Sequence, residues 1–370
     1  METNDFIELR ASENTEPVKD SMELSDEDLL MDFKLRCAMQ EKTPDVDQEF
    51  SRFEEEYLKP KLSRTLFKYI TIAAIAASLV FFVIYNWQRN TPDTSSLPQL
   101  TADGKSFVSP PPMDDIEVRV GDKAISLGSK AADRQGIIMT SDSMVHFLSP
   151  DNVAPEDRNT ITIPQGKVAR IVLPDGSQVC LSARSRLIFP QRFLIGQPRE
   201  VRLVGEGYFE VARDEQRPFI VHSGNVSTRV LGTQFNIRCF EGEAPCITLV
   251  SGSVKVSSPN SPGNDVILTP GQQATLSAQA AVFNITSANL DETLAWKEGL
   301  FCFEKTTLKD VLIEIARWYN LNVKFEDDEH IGDFVHYNGE RSWNVREVLT
   351  HLNEISDAEI TLKNNILTVR

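Results

Sequence analysis

Glu206 and Glu210 are the first residues whose type and spacing could support chemistry, because paired carboxylates do the acid, base and nucleophile work of glycosidases. They lie in the run VRLVGEGYFEV, whose alternating apolar residues predict a strand. Four positions along a regular strand separate two side chains by about 13 Å. That separation exceeds the window of either glycosidase mechanism, so the pair does not predict a catalytic site.

Other patterns that could carry chemistry also fail. Gly205 and Gly207 flank Glu206, but no helix is predicted after them, as a dinucleotide-binding loop requires. No serine occupies a nucleophile elbow. The histidines fall at no metal-ligand spacing, and they are His146, His222, His330, His336 and His351. The sequence therefore predicts a non-enzymatic protein that holds no metal and no cofactor.

Two cysteines bracket a predicted hairpin loop, at Cys239 and Cys246. If residues 237 and 248 pair across the hairpin, the two cysteines face each other directly and can form a disulfide in an oxidising compartment. The alternative is that both are buried small apolar side chains. Both interpretations stay open at this point.

The elements that position these residues are divided by an apolar stretch. Residues 69–88 carry no charge over 20 positions, enough for a helix of about 30 Å that crosses a bilayer. Four basic residues precede it and one follows closely, which by the positive-inside rule puts the N-terminus in the cytoplasm. These four are Lys59, Lys61, Arg64 and Lys68. We therefore expect a single-pass inner-membrane protein with its C-terminus on the periplasmic side.

The N-terminal segment, residues 1–68, is acidic and contains two predicted helices with apolar stripes. The stripe residues are Leu29 and Phe33 in the first helix, and Val46, Phe50, Phe53 and Tyr57 in the second. These stripes could pack against each other in a small hairpin. However, so short a segment buries little core alone. An apolar stripe with acidic residues on the opposite face favours docking on a partner.

The remaining chain divides into three parts. Residues 89–114 contain a run of three prolines and predict an extended linker. Residues 115–285 alternate apolar runs with glycine turns, which predicts an all-β domain of sandwich or solenoid type. Residues 290–370 predict the order βα-β-βα-ββ, an α+β domain of two βα units. The expected fold class is thus multi-domain: a short α-helical segment, one transmembrane helix, an all-β domain and an α+β domain.

Six runs, in this order, resemble the FecR family of single-pass anti-sigma factors in its Bacteroidetes form. They are LPDGSQVCLSARSRLIFP, REVRLVGEGYFEVARD, RPFIVHSG, VLGTQFNI, TLVSGSVKV and LTPGQQATL. The last 80 or so residues are similar to the family's C-terminal domain, which resembles the short signalling domain of secretins and TonB-dependent transducers. The motif residues, which we expect to be structural, are Asp175, Gly176, Gly205, Glu206, Phe209, Pro218, Phe219, Gly232, Thr233, Phe235, Gly252, Pro270 and Gly271.

This resemblance implies a function and a set of partners. A TonB-dependent or SusC-like outer-membrane transducer would contact the periplasmic part through its signalling domain. The segment 1–68 would then change its hold on an extracytoplasmic-function sigma factor, and an intramembrane protease is a further partner. The zinc signature of some anti-sigma factors is absent, and the charge of −16 argues against direct nucleic-acid binding. The rival hypothesis is a membrane-anchored envelope protein whose β domain binds glycan or peptidoglycan.

Overall fold

The structure is a computed structural model, and its described residues all fall in one compact unit of the chain. These residues are 99–100, 104–120, 123–127, 137–139, 144–147, 157–277 and 282–370. The predicted helices of the segment 1–68 and the apolar stretch 69–88 lie outside this set.

The predicted fold class needs a correction. The described part of the chain is mostly β, and the N-terminal α-helical segment and the transmembrane helix of the prediction are not among its elements. Within these ranges, no helix combines the length and the apolar character that a membrane crossing requires. What the structure does contain is two packed domains, one all-β and one α+β.

The strands before residue 288 make up most of the molecule. In chain order they are β1 (Gln99–Leu100), β2 (Ser106–Val108), β3 (Glu117–Val120), β4 (Lys123–Ser126), β5 (Ile137–Met139), β6 (Met144–Phe147), β7 (Arg158–Thr162), β8 (Ala169–Val172), β9 (Gln178–Leu181), β10 (Arg186–Pro190), β11 (Arg199–Glu210), β12 (Phe219–Ser223), β13 (Val226–Val230), β14 (Gln234–Cys239), β15 (Cys246–Ser251), β16 (Val254–Ser257), β17 (Val266–Leu268), β18 (Gln272–Leu276) and β19 (Phe283–Ser287).

Strands β3 to β19 form two sheets that pack face to face as a sandwich. One sheet has the order β4-β3-β7-β10-β11-β12-β13-β16-β17. The other has the order β5-β6-β8-β9-β11-β14-β15-β18-β19. Alternate side chains of both sheets point inward and form one apolar core, as the alternating sequence pattern predicts.

Strand β11 is shared by the two sheets, and Gly205 marks the point where it passes between them. Residues up to Val204 pair with β10, whereas residues from Gly205 onward pair with β14. Gly205 has a φ of 100°, and a Cβ atom there would collide with Ser185. Only glycine accepts both the left-handed backbone and this close approach, which explains the glycine of this motif.

The α+β domain follows the predicted element order. Its elements are α1 (Leu290–Leu294), a 3-10 helix (Ala295–Glu298), β20 (Leu300–Thr307), α2 (Leu308–Tyr319), β21 (Asn322–Phe325), β22 (Phe334–Glu340), α3 (Val345–Ile355), β23 (Ile360–Lys363) and β24 (Ile366–Val369). Helix α3 begins with a capping box between Asn344 and Glu347. The last hairpin turns at Asn364 and Asn365, both with positive φ, as a type I′ turn requires.

The predicted linker 89–114 is wrong in one respect, because part of it belongs to the α+β domain. Strand β2 pairs with β21, and Phe107 lies opposite Val323. The sheet has the order β1-β2-β21-β24-β23. The Phe107 ring is buried in the core that α2 and α3 cover. The prolines at 110–112 lie after this strand, so they remove no hydrogen bond from its ladder.

Of the two interpretations of Cys239 and Cys246, the register of the β14–β15 hairpin favours the buried small side chains over the disulfide. Ile237 pairs with Ile247, so Arg238, and not Cys239, stands opposite Cys246. A shift of one residue puts the two cysteines on opposite faces of the sheet. Cys239 points into the sandwich core, and both thiols are free.

We expect Cys239 and Cys246 to react with a thiol reagent only when the protein unfolds, and without any reductant. Burial raises the pKa of Cys239 to about 11 and also raises that of Cys246, so little thiolate is present at pH 8. Mass-spectrometric peptide mapping after alkylation, with and without urea, measures this. If both residues stay unmodified in urea until a reductant is added, the disulfide exists after all.

Candidate functional site

The most unusual feature of the molecule is a network of three arginines and three glutamates between the two domains, of which Arg238 and Glu243 are half-buried and the other four are buried. The β sandwich supplies Glu206 from β11, Arg238 from β14 and Glu243 from the loop after it. The α+β domain supplies Glu314 and Arg317 from α2, and Arg341 from the turn after β22. Because buried charges are expensive unless they are paired, this network fixes how the two domains dock.

Glu314 is the centre of the network. Its two carboxylate oxygens accept hydrogen bonds from Arg238 at 3.0 Å, from Arg341 at 2.9 Å and from Arg317 at 3.4 Å. Glu243 in turn accepts a hydrogen bond from Arg317. Helix α2 is apolar on its buried face apart from Glu314 and Arg317. Its one carboxylate there, that of Glu314, contacts three guanidinium groups.

Glu206 and Glu314 have pKa values that move in opposite directions. Burial would raise the pKa of Glu314, but Arg238, Arg341 and Arg317 together outweigh burial and hold it well below its usual range. Burial raises the pKa of Glu206 and the charge of Glu314 adds to the rise, while Arg238, the amide of Asn236 and Arg341 oppose it. The network therefore holds a firmly ionised carboxylate at Glu314 and a more easily protonated one at Glu206.

Aromatic rings complete the surroundings of the two buried arginines in the α+β domain. The guanidinium of Arg317 lies 4.1 Å from the ring centroid of Phe240 and 5.3 Å from that of Phe107. The guanidinium of Arg341 lies 4.6 Å from the ring centroid of Phe301. The faces of these aromatic rings carry negative partial charge and stabilise a desolvated guanidinium. Because Arg317 on α2 contacts Phe240 of the sandwich and Phe107 of β2, it links all three.

A second contact between the domains runs through the proline segment. Arg184 donates hydrogen bonds to the carbonyl oxygens of Pro111, at 3.2 Å, and Pro110, at 3.3 Å. It also donates to the side chain of Asn320, which ends α2 in the left-handed conformation. Burial lowers the pKa of Arg184 to about 10. The segment that precedes β3 is thus held against both domains.

A cavity of about 640 Å³ lies beside the network, between the outer face of the second sheet and the α+β domain. Five carboxylates and two guanidinium groups line it; the carboxylates are Glu206, Glu243, Glu292, Asp310 and Glu314. In the part of the chain that the structure describes, no group of three His, Cys, Asp or Glu side chains is placed to hold a metal ion. The cavity is therefore a polar, acidic space whose recognition chemistry is charge and hydrogen bonding.

The motif residues that the sequence singles out lie mainly in the sandwich core and its turns. Asp175 forms a buried ion pair with Arg199, at 2.7 Å. Phe209 stacks on Phe235 with ring centroids 5.1 Å apart. Gly252 lies against Thr233 in a turn. The motif residues without a role in the domain network are Asp175, Gly176, Gly205, Phe209, Pro218, Phe219, Gly232, Thr233, Phe235, Gly252, Pro270 and Gly271.

Glu206 is the one motif residue that reaches the network. Glu206 is buried under the α+β domain, whereas Glu210 is exposed at the end of β11. The residues proposed for sigma binding, namely Leu29, Phe33, Val46, Phe50, Phe53 and Tyr57, lie outside the described residues. Sequence reasoning missed Arg238, Glu314, Arg317 and Arg341; the only signal was the pair Glu314 and Arg317 beside the apolar stripe of α2.

Comparisons with known proteins agree with the two-domain division. The family model described as "FecR protein" matches residues 159–255, and the model described as "FecR, C-terminal" matches residues 300–369. None of the curated proteins matched this chain.

Two crystal structures of a proposed anti-sigma factor from Parabacteroides distasonis ATCC 8503, at 1.65 Å and 2.50 Å resolution, are similar to this chain. Both have a TM-score of 0.52, and both comparisons cover 57% of this chain and 98% of that chain. The sequence identities are 23% and 22%, so the likeness shows a common fold. The two family matches, in chain order, show that residues 159–255 and 300–369 of this chain are similar to the FecR family.

Proposed function

We propose that this chain is an anti-sigma regulator that relays a signal from a TonB-dependent outer-membrane transducer to an extracytoplasmic-function sigma factor. The observation that carries the proposal is the pair of FecR domains in one chain, docked through a buried ion network. A relay needs a receiving domain whose conformational change alters the structure of another part of the protein. The network supplies this coupling, because a change at α2 alters contacts that reach β11 and β14.

The sigma factor is proposed to bind the acidic segment 1–68. The first 56 residues hold 18 acidic and 6 basic residues. A sigma factor presents basic surfaces to DNA, so opposite charge would speed the encounter. The apolar stripe of Val46, Phe50, Phe53 and Tyr57 would then supply the buried part of the interface.

The transducer's signalling domain is proposed to contact the two-stranded sheet of β20 and β22. Phe334 on β22 is 62% exposed, and among the described residues only Ile195 is a more exposed large apolar side chain. Among the described residues, β22 pairs only with β20, so one of its edges is open to a further strand. An open edge beside an exposed aromatic ring suits the addition of a strand from a partner.

The proposal also places the two ends of the chain on opposite sides of the inner membrane, with segment 1–68 in the cytoplasm and residues 99–370 in the periplasm. It rests on the basic residues between 59 and 68. An alkaline phosphatase reporter fused after residue 100 would be active under this arrangement, whereas one fused after residue 60 would not.

The decisive experiment is titration of the full-length chain against the sigma factor encoded beside it. We expect replacement of both Phe50 and Phe53 by Ala to weaken binding by at least tenfold. Each large apolar side chain contributes about 1.5–3 kcal/mol when it is fully buried, and about 1.4 kcal/mol is a tenfold change in affinity.

A double change off the stripe is the matched control. Replacing Ser51 and Glu54 by Ala removes the same number of side chains from the same predicted helix, and we expect less than a threefold effect. Equal losses for both double variants would show that the stripe is not the contact. If the wild-type chain binds no sigma factor at all, the glycan-binding envelope protein becomes the better explanation.

A further inference from the structure

The outer face of the first sheet carries more basic than acidic side chains, although the whole chain has a net charge of −16. Alternate residues of these strands, such as Val118, Leu203 and Val221, point into the sandwich core, so the residues between them point outward. Two acidic side chains, Glu117 and Glu200, share the outward positions with a larger set of bases. These bases, which define the basic face, are Arg119, Arg158, Arg186, Arg202, Arg229 and Lys255.

The register of the sheet spreads the bases of the basic face across its width. One row of outward side chains crosses the strands from β3 to β13 and consists of Arg119, Thr160, Ile188, Arg202, His222 and Ser227. A second row begins at Ile220 on β12 and continues through Arg229 on β13 to Lys255 on β16. Neighbouring strands lie about 4.8 Å apart, so β3 and β16 are separated by roughly 29 Å. Charges spread over this width match an extended anionic surface better than a single small anion.

Acidic side chains do not cancel this positive charge. Among the described residues, those on the basic face and at its rim are Glu117, Asp157, Glu200 and Asp265. Glu117 pairs with Arg119 at 2.5 Å, and Asp265 pairs with Lys255 at 3.3 Å. Four carboxylates thus stand against six bases, and Arg192, exposed in the loop between β10 and β11, adds a further cation. The face therefore keeps a positive charge on an otherwise acidic chain.

An exposed apolar side chain projects at the margin of the basic face, in the loop between β10 and β11. Ile195 is 88% exposed, more than any other large apolar side chain among the described residues. Phe193 is buried in the sandwich core and anchors the loop. Ile195 and Gly196 form the centre of a turn that is closed by a hydrogen bond of 3.4 Å from the backbone of Gln197 to that of Leu194. The fold therefore holds one aliphatic side chain in solvent beside a basic surface.

We propose that the basic face and the Ile195 loop bind the surface of an anionic phospholipid bilayer. Guanidinium groups bind phosphate oxygens with two hydrogen bonds at once, and the headgroups of phosphatidylglycerol present such phosphates in an extended array. A membrane interface also accepts Ile195, because an aliphatic side chain enters the acyl boundary while the cations stay at the headgroups. A soluble polyanion would pair with the cations but would leave Ile195 in water.

This arrangement leaves the α+β domain accessible to a partner. That domain contacts the second sheet, through Glu314 and Arg238 of β14, and the second sheet lies on the other side of the sandwich from the basic face. A bilayer and a protein partner could therefore bind at the same time. The inference goes beyond the proposed relay and depends on neither the sigma factor nor the transducer.

Quenching of tryptophan fluorescence by brominated lipids measures the contact in the full-length chain. Ile195→Trp adds an indole to the loop, and Phe334→Trp adds one at an exposed position of the α+β domain as the matched control. The wild-type chain gives the background of the native tryptophans. In vesicles of brominated phosphatidylglycerol, we expect the added indole of Ile195→Trp to be quenched at least twofold more strongly than that of Phe334→Trp, because bromine atoms quench only indoles that reach the acyl chains.

Lipid charge and salt show whether electrostatics drives the contact. The extra quenching of Ile195→Trp should disappear in vesicles of brominated phosphatidylcholine, which carry no net charge. It should also disappear in about 1 M NaCl, where the screening length falls to about 3 Å. Equal quenching of Ile195→Trp and Phe334→Trp in phosphatidylglycerol, or equal quenching of Ile195→Trp in the two lipids, overturns the proposal.

Charge variants in the Ile195→Trp background locate the contact on the basic face. Arg202→Gln combined with Arg229→Gln removes two cations from the face, and we expect quenching by phosphatidylglycerol to fall at least twofold. The matched control is Lys324→Gln combined with Arg346→Gln, two exposed cations of the α+β domain, and it should leave quenching unchanged. Equal losses in both double variants would show that only the net charge of the chain matters and would overturn the assignment to this face.

Thr160→Arg in the same background adds a cation between Arg119 and Ile188 on the basic face. It should increase quenching in vesicles that contain only a small fraction of phosphatidylglycerol, a gain that misfolding of the variant cannot produce. An unchanged signal in Thr160→Arg, together with an unchanged signal when Arg202 and Arg229 are neutralised, would show that the basic face does not contact the bilayer.

Discussion

Phe107→Ala is expected to lower the free energy of unfolding by about 3–5 kcal/mol, the usual cost of removing a buried aromatic ring. Phe107 is 2% exposed and lies in the core of the α+β domain, although it precedes that domain by the whole β sandwich in the chain. Its ring also lies beneath the guanidinium of Arg317. Urea unfolding of the full-length chain, followed by tryptophan fluorescence, measures the loss.

The neighbouring residue provides the matched control. Val108 belongs to the same strand but points outward and is 51% exposed, so Val108→Ala should change stability by no more than about 0.5 kcal/mol. If both variants lose the same stability, or neither loses any, β2 is not part of the α+β core. A large difference would show that the α+β domain is built from two distant pieces of chain.

The position of β2 in the α+β domain also bears on the proposed relay. Residues 104–109 contribute a strand, the Phe107 ring and hydrogen bonds from Ser109 to Asn322 and Asn320. The chain therefore passes through the α+β domain before it enters the β sandwich. A fragment that begins at residue 290 would expose the β21 edge and leave a cavity where Phe107 packs. The family match to residues 300–369 covers only one of the two pieces.

Local patterns in the sequence predicted the α+β domain well. Helix α3 begins where Asn344 and Glu347 predict it, and the final hairpin turns at Asn364 and Asn365. Capping boxes, apolar periodicity and turn residues depend on neighbours within a few positions of the chain. They can be recognised without knowledge of the tertiary structure.

Pairings between distant residues were not predictable in the same way. Strand β2 has three residues beside a proline run, and nothing in that run indicates that Val323 is its partner. The hairpin that carries Cys239 and Cys246 was predicted, but its register was wrong by one residue. One position reverses the face of every side chain, and the loop sequence alone does not fix that position.

The domain network was missed for a related reason. Glu314 and Arg317 lie on a helix whose apolar stripe predicts burial against a core. A charged pair next to such a stripe usually faces solvent. Only the docking of the sandwich brings Arg238 and Glu243 onto this helix. The sequence motifs single out Glu206 and exclude a catalytic role for it, but they do not predict its ion pair with Arg238.

Glu314→Gln is expected to destabilise the protein by about 3–5 kcal/mol at pH 7, because it removes one partner from a buried ion network. Among the described residues, Arg341 has no other carboxylate, so the variant would leave its guanidinium buried and unpaired. Glu206→Gln is the matched control. Arg238 keeps Glu243 and Glu314 when Glu206 is neutral, and the Gln side chain can still accept from Asn236, so we expect a change of less than about 1 kcal/mol.

The free energy of unfolding depends on pH in opposite directions for Glu314 and Glu206, because folding lowers the pKa of one and raises that of the other. The pKa of Glu314 is lower in the folded chain than in the unfolded chain. Its carboxylate therefore contributes stability that is fully present above the unfolded value of about 4.3 and is lost as the pH falls below it. The gap between wild type and Glu314→Gln should accordingly shrink between about pH 4.3 and pH 2.5. Burial raises the folded pKa of Glu206, so its ionisation costs stability as the pH rises, and Glu206→Gln removes that cost.

A second-site change tests whether the loss comes from the unpaired guanidinium. In the Glu314→Gln background, Arg341→Met replaces the buried cation by an apolar side chain of similar length, and we expect it to restore at least 1 kcal/mol or so of the loss. Arg341→Met alone should destabilise, because Glu314 then loses a partner. If Arg341→Met adds its own cost in the variant background, the lost stability comes from packing and not from charge. If unfolding of Glu314→Gln separates into two transitions, the network holds the two domains together, which is the coupling that a relay through this interface requires.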